Sequence, residues 1–147
     1  MKEDCGNIYT NARRASGLTQ ERWAEYLGVS TEAVRQYESG TIMPGDDVLL
    51  MMADISGMKI LPYWHLSRKS RIAGAILPEL DDQKGLPEAV LGLLIGIDDF
   101  KQVGLPQLLR IAADGKISRE EEAAYRQAMG QLMDVVRLAY ACGYAKE

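Results

Sequence analysis

The sequence has few of the residues that most often build catalytic and metal sites. Its 147 residues include two cysteines and one histidine, and neither cysteine lies in a CxxC or CxxH spacing. Because structural zinc and disulfide frameworks need more such ligands, we expect neither, and Cys5 and Cys142 should be reduced thiols. The GxSxG and P-loop motifs are also absent. The sequence therefore predicts no enzyme, no metal site and no cofactor, with His65 as a packing or surface residue.

Long apolar runs are missing as well. No run approaches the roughly 20 residues that span a bilayer, and residues 1–7 are polar and partly acidic, unlike a secretory signal. We therefore expect a cytoplasmic protein without a membrane segment. Since 47% of the residues are hydrophobic, the chain can still bury a core, and its length suits one domain or two small ones.

Basic residues are outnumbered by acidic residues. Lys and Arg number 17 against 21 Asp and Glu, for a formal net charge of −4. Because counterion release by Lys and Arg supplies most of the sequence-independent affinity for DNA, we expect weak nonspecific DNA binding. Specific DNA binding would then depend on a local positive strip, for which the sequence offers Arg13, Arg14, Arg22 and Arg35.

The most informative segment covers residues 18–44. Two short amphipathic helices are predicted here, Gln20–Leu27 and Thr31–Glu38, and each follows a residue of N-cap type, Thr19 or Ser30. Gly28 lies where the first helix must end and the chain must reverse, which favours a residue that tolerates positive φ. The pattern predicts two helices joined by a tight turn.

The spacing within this segment is more specific than either helix alone. Counting from Gln20, Ala24 is fifth, Gly28 ninth, Val34 fifteenth and Tyr37 eighteenth. Two helices that cross at roughly 90–120° need a small residue where they touch and a glycine in the turn. Val34 and Tyr37 fall on the inward face and are expected in the core.

The strings LTQ, GVS and YESG, followed by a proline, resemble the DNA-binding helix-turn-helix of the lambda-repressor/Cro-like (XRE) family. The resemblance covers about residues 8–66 and implies an all-α, five-helix domain that binds double-stranded DNA. The helices are predicted at Ile8–Ser16, Gln20–Leu27, Thr31–Glu38, about 46–56 and Ile60–Leu66.

The resemblance also implies a set of site residues. In this family the third helix enters the major groove, and the start of the second helix lies against phosphate. Carried over by position, the base-reading residues are Thr31, Glu32, Arg35 and Gln36. The implied phosphate contacts are Gln20, Ser30 and Thr41, joined by Arg13 and Ser39. Arg35 suits guanine, Gln36 suits adenine, and Glu32 can only accept a hydrogen bond, for example from cytosine.

The remainder of the chain changes character twice. Residues 67–85 mix a basic run, a proline and an acidic cluster without periodicity, which predicts a linker with about one helical turn. Residues 86–147 predict a helical domain of about three helices, near 87–103, 105–113 and 118–140. The first of these has an apolar face too wide for solvent, so we expect this domain to form a homodimer or to bind a partner.

Residues 114–122 resemble the second half of a calcium-binding loop. The first and third ligand positions of that loop would fall on Arg110 and Ala112, which supply no carboxylate, so calcium binding is not expected. Ser118 and Glu121 instead have the spacing of a capping box at a helix start.

Three functional hypotheses follow from the sequence. The first is a sequence-specific transcriptional regulator, a dimeric repressor that reads the major groove with residues 31–38. The second is a protein-interaction module, such as an antitoxin-like partner of another protein, with little DNA binding. The third is a ligand-responsive regulator whose C-terminal helices enclose an apolar pocket. No residue pattern identifies an effector.

Overall fold

The computed structural model describes residues 7–80 and 83–147, and these residues are predominantly helical without any named strand. Cys5, Asp81 and Asp82, on which predictions were made, lie outside this range. The helices are α1 (Ile8–Ser16), α2 (Gln20–Leu27), α3 (Thr31–Ser39), α4 (Asp46–Ser56), α5 (Leu61–Lys69), α6 (Arg71–Ile76), α7 (Leu86–Asp99), α8 (Leu105–Ala112) and α9 (Glu122–Gly143), with a π-helical segment at Phe100–Gly104. The predicted all-α class is confirmed. The helices form two compact units, the first ending at Leu77 and the second beginning at Pro78.

The two central helices of the first unit begin where they are predicted to begin; α2 also ends as predicted, and α3 extends one residue further, to Ser39. The Thr19 hydroxyl accepts a hydrogen bond from the amide of Arg22, and the Ser30 hydroxyl accepts one from the amide of Ala33. Each satisfies a backbone donor that has no partner within its helix. Gly28 closes α2 with φ of +66°, a left-handed conformation that a side chain would strain.

The core of the first unit is assembled from one face of each of α1 to α5. Trp23 and Val34 are fully buried, and Tyr37 is nearly so. They pack in one cluster with apolar residues of α1, α4 and α5, among them Ala12 and Met52. The predicted inward positions of α2 and α3 are therefore confirmed. With these faces buried, the opposite face of α3 is left to solvent.

Helical structure continues beyond Leu66, into the segment for which the sequence predicts a linker. Helix α5 extends to Lys69, and α6 follows after the single residue Ser70. The Ser70 hydroxyl accepts from the amide of Ala73 at 3.2 Å and so caps α6. The mixed composition of residues 67–85 hides this helical pattern in the sequence.

In the second unit, helices α7 and α9 pack closely because α7 carries two glycines on the contact face. A Cβ on Gly92 would lie 3.5 Å from one methyl carbon (Cδ2) of Leu138 on α9. A Cβ on Gly96 would lie 2.6 Å from the second methyl carbon (Cδ1) of the same leucine. The second distance is shorter than real Cβ contacts allow. Gly96 therefore leaves room for the Leu138 side chain against α7, and a larger residue at this position would require that side chain to move.

Two details of the second unit differ from the sequence predictions. A π-helical segment, rather than a break, joins α7 to α8, and Pro106 lies just after it. Pro106 has no amide hydrogen to donate to the carbonyl of Gln102, which favours a local change of helix type. Ser118 and Glu121 form the reciprocal hydrogen bonds of a capping box, but the helix itself begins at Glu122, after a turn.

No helix in the described part of the chain combines the length and the apolar character needed to cross a membrane.

His65 is a buried residue of the first unit. It is 2% exposed, and its Nδ1 atom lies 2.8 Å from the hydroxyl of Tyr9 on α1. The Nε2 atom is buried without a hydrogen-bond partner. Burial lowers the pKa of His65, and the charge of Lys69 lowers it further, whereas Asp46 opposes the shift. The imidazole is therefore neutral in the folded domain at pH 7.

We predict that the first unit loses stability in mild acid because of His65. The folded pKa is lower than the unfolded value of about 6.5, so the unfolded chain takes up the proton first. The stabilising effect should be complete above pH 6.5 and should be lost as the pH falls towards the folded pKa. The imidazole NMR signal of this single histidine should titrate below 6.5. The melting temperature of His65→Gln should fall less between pH 7.5 and pH 5 than that of the wild type. A signal that titrates at 6.5 would contradict the prediction.

Candidate nucleic-acid interface

The four predicted base-reading residues lie in the first two turns of α3. Glu32 and Arg35 are exposed, and Thr31 and Gln36 are partly exposed. At 100° per residue the four share one side of the helix, opposite the buried Val34. The structure therefore brings these four side chains together on one surface.

Glu32 holds its two neighbours on this surface. Its carboxylate lies 3.6 Å from Nη1 of Arg35, and it accepts a long hydrogen bond of 3.4 Å from Nε2 of Gln36. Both pairs are exposed, where such interactions contribute little to stability. Arg35 and Gln36 can exchange Glu32 for another hydrogen-bonding group at small cost.

Ser39 and Thr41 lie together at the other end of α3. Their hydroxyl oxygens are 2.7 Å apart, both residues are exposed, and Gly40 between them has φ of +76°. Ser30 is also exposed, but its hydroxyl oxygen already accepts from the amide of Ala33. The hydroxyl hydrogen of Ser30 remains available as a donor.

Glu38 joins two of the predicted phosphate contacts, Arg13 and Gln20. The sequence alone assigns no role to Glu38. Nε of Arg13 lies 2.5 Å from one Glu38 oxygen, and Nε2 of Gln20 donates to the other at 2.7 Å. The Arg13 and Glu38 side chains are only 16% and 10% exposed. Arg13 also donates from Nη1 to the carbonyl of Leu18 at 2.9 Å. One carboxylate thus connects α1, α2 and α3.

Arg13 is a partly buried cation whose guanidinium donates to Glu38 and to the carbonyl of Leu18. Its hydrogen bond to Glu38 raises the pKa of Arg13, against the effect of burial. The structure does not bring Arg13 to the exposed surface of α3, and its role as a phosphate contact stays a prediction. Gln20 is partly exposed, so its carbonyl side and the start of α2 remain near the surface.

The predicted positive strip is largely neutralised by glutamates. Arg22 lies 2.7 Å from Glu25. Arg35 and Arg13 are likewise paired, with Glu32 and Glu38 respectively. Arg14 is exposed. This pairing agrees with the acidic balance of the sequence, and it limits the long-range attraction of DNA.

A further acid, Glu21, lies at the start of α2 beside Gln20. Hydrogen bonds from its own backbone amide and from Thr19 lower the pKa of Glu21, and the charges of Arg35 and Arg13 lower it further. The carboxylate is therefore ionised at neutral pH and lies close enough to Arg35 to interact with it. It occupies a helix N-terminus, where a phosphate would also bind.

The described residues contain no cluster of three or more residues able to hold a metal ion. The chemistry that the structure shows on the surface of α3 is that of hydrogen-bonding side chains.

Comparison with known proteins identifies the first unit. A family model described as helix-turn-helix matches residues 11–59, which include all of α2, α3 and α4. No curated protein and no solved structure shows significant similarity to the chain. The match covers the turn at Gly28 and the exposed surface of α3. The N-terminal part of this chain is therefore a helix-turn-helix domain of the XRE family, a family of DNA-binding regulatory domains.

Proposed function

We propose that the protein is a sequence-specific transcriptional repressor that reads the major groove with α3. The observation that carries the proposal is the exposed row of hydrogen-bonding side chains on a helix whose opposite face is locked into the core. Repression requires only that the protein occupy its DNA site, which a small DNA-binding domain can do. Such a regulator acts in the cytoplasm, where its DNA is.

In this proposal Arg35 and Gln36 release Glu32 when they meet base edges. Arg35 can donate two hydrogen bonds to guanine O6 and N7, and Gln36 can pair with adenine N6 and N7. Thr31 offers a methyl group to thymine. Glu32 either accepts from cytosine N4 or turns away, since it cannot lie against an acceptor.

The proposed phosphate contacts flank α3. The hydroxyls of Ser30 and Thr41 can donate to phosphate oxygens, and Gln20 can do so at the start of α2. Ser39 can do so when its hydroxyl leaves the carbonyl of Gln36, to which it donates at 3.1 Å. Such contacts set the register of the protein on the duplex rather than its sequence preference. Arg13, if it does not touch phosphate, acts by holding Glu38 and thereby Gln20 in place.

We propose that the repressor acts as a homodimer formed through its C-terminal helices. Two copies would present their α3 helices about 34 Å apart along the duplex. A two-fold symmetric protein then requires an inverted-repeat site. Contacts from two domains also compensate for the weak electrostatic attraction of each.

A second candidate function is a protein-interaction module, in which a partner protein rather than DNA is the main ligand. It is supported by the glutamates that pair with Arg13, Arg22 and Arg35, since these leave little net positive charge to attract a duplex. Selection of random duplex DNA by the purified protein separates the two candidates.

The first prediction concerns selection of random duplex DNA by the purified protein. The wild type should enrich an inverted repeat, and Arg35→Ala/Gln36→Ala should enrich none. Each lost bidentate contact is expected to cost specific binding roughly 1–3 kcal/mol. The melting temperature should barely change because both side chains lie on the surface of α3.

Helix α9 supplies a matched control for this variant. Arg126 and Gln127 form the same dipeptide, and Arg126 pairs with Glu122 one turn away, as Arg35 pairs with Glu32. Arg126→Ala/Gln127→Ala should select the same DNA as the wild type. If no protein enriches a sequence even at low salt, the regulator is rejected and the interaction module is favoured.

The second prediction concerns the ion pair of Arg13 and Glu38. Glu38→Gln should lower the free energy of unfolding by about 1–3 kcal/mol because it leaves a partly buried cation without its counter-ion. Arg13→Met/Glu38→Met should recover most of this loss. Urea unfolding followed by tryptophan fluorescence measures the effect, since both tryptophans, Trp23 and Trp64, lie in the first unit.

If Arg13→Met kept full stability but weakened DNA binding with a shallower salt dependence, Arg13 would be a direct phosphate contact.

The third prediction concerns Glu21. Glu21→Gln should raise the affinity for DNA roughly two- to three-fold at 0.15 M salt, because it removes one exposed negative charge near the phosphates. The gain should be similar for specific and nonspecific DNA and should shrink as salt is added. Glu120→Gln, an equally exposed acid in the second unit, serves as the control. An unchanged affinity for Glu21→Gln would mean that the start of α2 lies away from the duplex.

A further inference from the structure

The second unit buries very little of its own apolar surface. Within residues 78–80 and 83–147 the buried residues are Leu80, Ala89, Gly104, Ile111 and Ala128, of which only Leu80 and Ile111 are large. Twelve large apolar side chains of the same segment are 37–65% exposed: Leu86, Val90, Leu91, Leu94, Ile95, Ile97, Val103, Leu105, Leu109, Ile117, Met133 and Tyr140. The first unit, by contrast, has a closed core around Trp23. The apolar residues of the second unit need a further covering surface.

Helix α7 accounts for half of these exposed side chains because it is apolar on two faces. Its inner face, with Gly92 and Gly96, lies against Leu138 of α9. On the outer face, Leu91 and Leu94 are each 59% exposed and Ile95 is 55% exposed. A helix that is apolar all round is normally buried on both sides.

We propose that the outer face of α7 is where a second copy of this chain docks, α7 against α7 across a two-fold axis. This inference rests on the dimer of the proposed function and specifies its interface. In a two-fold contact, each residue on the axis meets its own counterpart, so a charge there would repel itself. Leu91, Leu94 and Ile95 are uncharged, and no charged residue lies between Glu88 and Asp98.

The amount of apolar surface agrees with a dimer interface. The six exposed side chains of α7 present an area on the order of 500 Å², near the upper end for the largest patch of a typical monomer. A standard interface buries roughly 800 Å² per partner. Helix α7 would therefore form the apolar centre, and other exposed apolar residues of the second unit would have to supply the remainder.

The first test measures the oligomeric state of Leu94→Glu by sedimentation over a range of concentrations. The wild type should be a dimer, and Leu94→Glu should raise the dimer dissociation constant at least 100-fold. Leu50→Glu is the matched control, because Leu50 is 54% exposed on α4 of the first unit. It should leave the dimer intact. A monomeric wild type, or a Leu94→Glu protein that dimerises normally, would overturn the proposal.

A second test avoids the added charge and so covers the case in which Leu94→Glu misfolds. In a Cys5→Ser/Cys142→Ser background, the single changes Leu91→Cys, Leu94→Cys and Ile95→Cys are oxidised in the dimer. At least one should form a disulfide between copies, whereas Leu50→Cys should form none. Failure of all three to cross-link, in a protein that is dimeric, would place the interface elsewhere.

The outcomes also separate this inference from the proposed function. If Leu94→Glu stays dimeric and the wild type still enriches an inverted repeat, the α7 interface is wrong and the repressor stands. If Leu94→Glu becomes monomeric but the wild type enriches no DNA, the interface stands and the repressor is rejected. Binding of α7 to another protein or to an apolar ligand, without self-association, would overturn the interface.

Discussion

The geometry of the helix-turn-helix depends on one carboxylate, that of Glu38 near the end of α3. It accepts hydrogen bonds from Arg13 on α1 and from Gln20 on α2, and the Arg13 and Glu38 side chains are only 16% and 10% exposed. Charged hydrogen bonds of this kind have strict geometry, and a buried charge left without its partner is costly. The orientation of α3 relative to the two preceding helices is therefore held by polar contacts as well as by packing around Trp23 and Val34.

The same residues explain how an acidic domain can belong to a DNA-binding family. Three of its arginines are paired with glutamates, one inside the domain and two on its surface. The surface pairs are weak and exchangeable, so Arg35 can leave Glu32 for a base edge. Long-range attraction is small, and under the proposed function affinity must come from correctly placed hydrogen bonds. Such a domain would discriminate well between sites but bind each of them only moderately as a single copy.

The two units are stabilised in different ways. The first has a closed core built from five helices, whereas the second exposes about half of its large apolar side chains. Since burial of apolar area is the main source of folding free energy, the second unit depends more on whatever covers it. Under the proposed dimer, association and the stability of this unit would be coupled.

Sequence alone determined the features that act over short distances along the chain. Thr19 and Ser30 cap helices through amides three residues away, Gly28 ends α2, and apolar periodicity identified the buried faces of α2 and α3. These signals involve residues close together in the sequence, so they can be recognised without knowledge of the fold. The extension of α5 to Lys69, the length of α6 and the start of α9 at Glu122 differ from the predictions because composition and caps indicate helix ends only approximately.

Only the tertiary structure decided which polar groups meet. Arg13 and Glu38 are 25 residues apart, and Tyr9 and His65 are 56 residues apart, so no local pattern pairs them. The structure also decided which face of α7 packs on α9, because both of its faces are apolar and the glycines alone distinguish the inner one. The physical reason is that the packing of whole helices selects which distant residues meet. A periodic sequence pattern describes each helix separately and so does not show how the helices pack together.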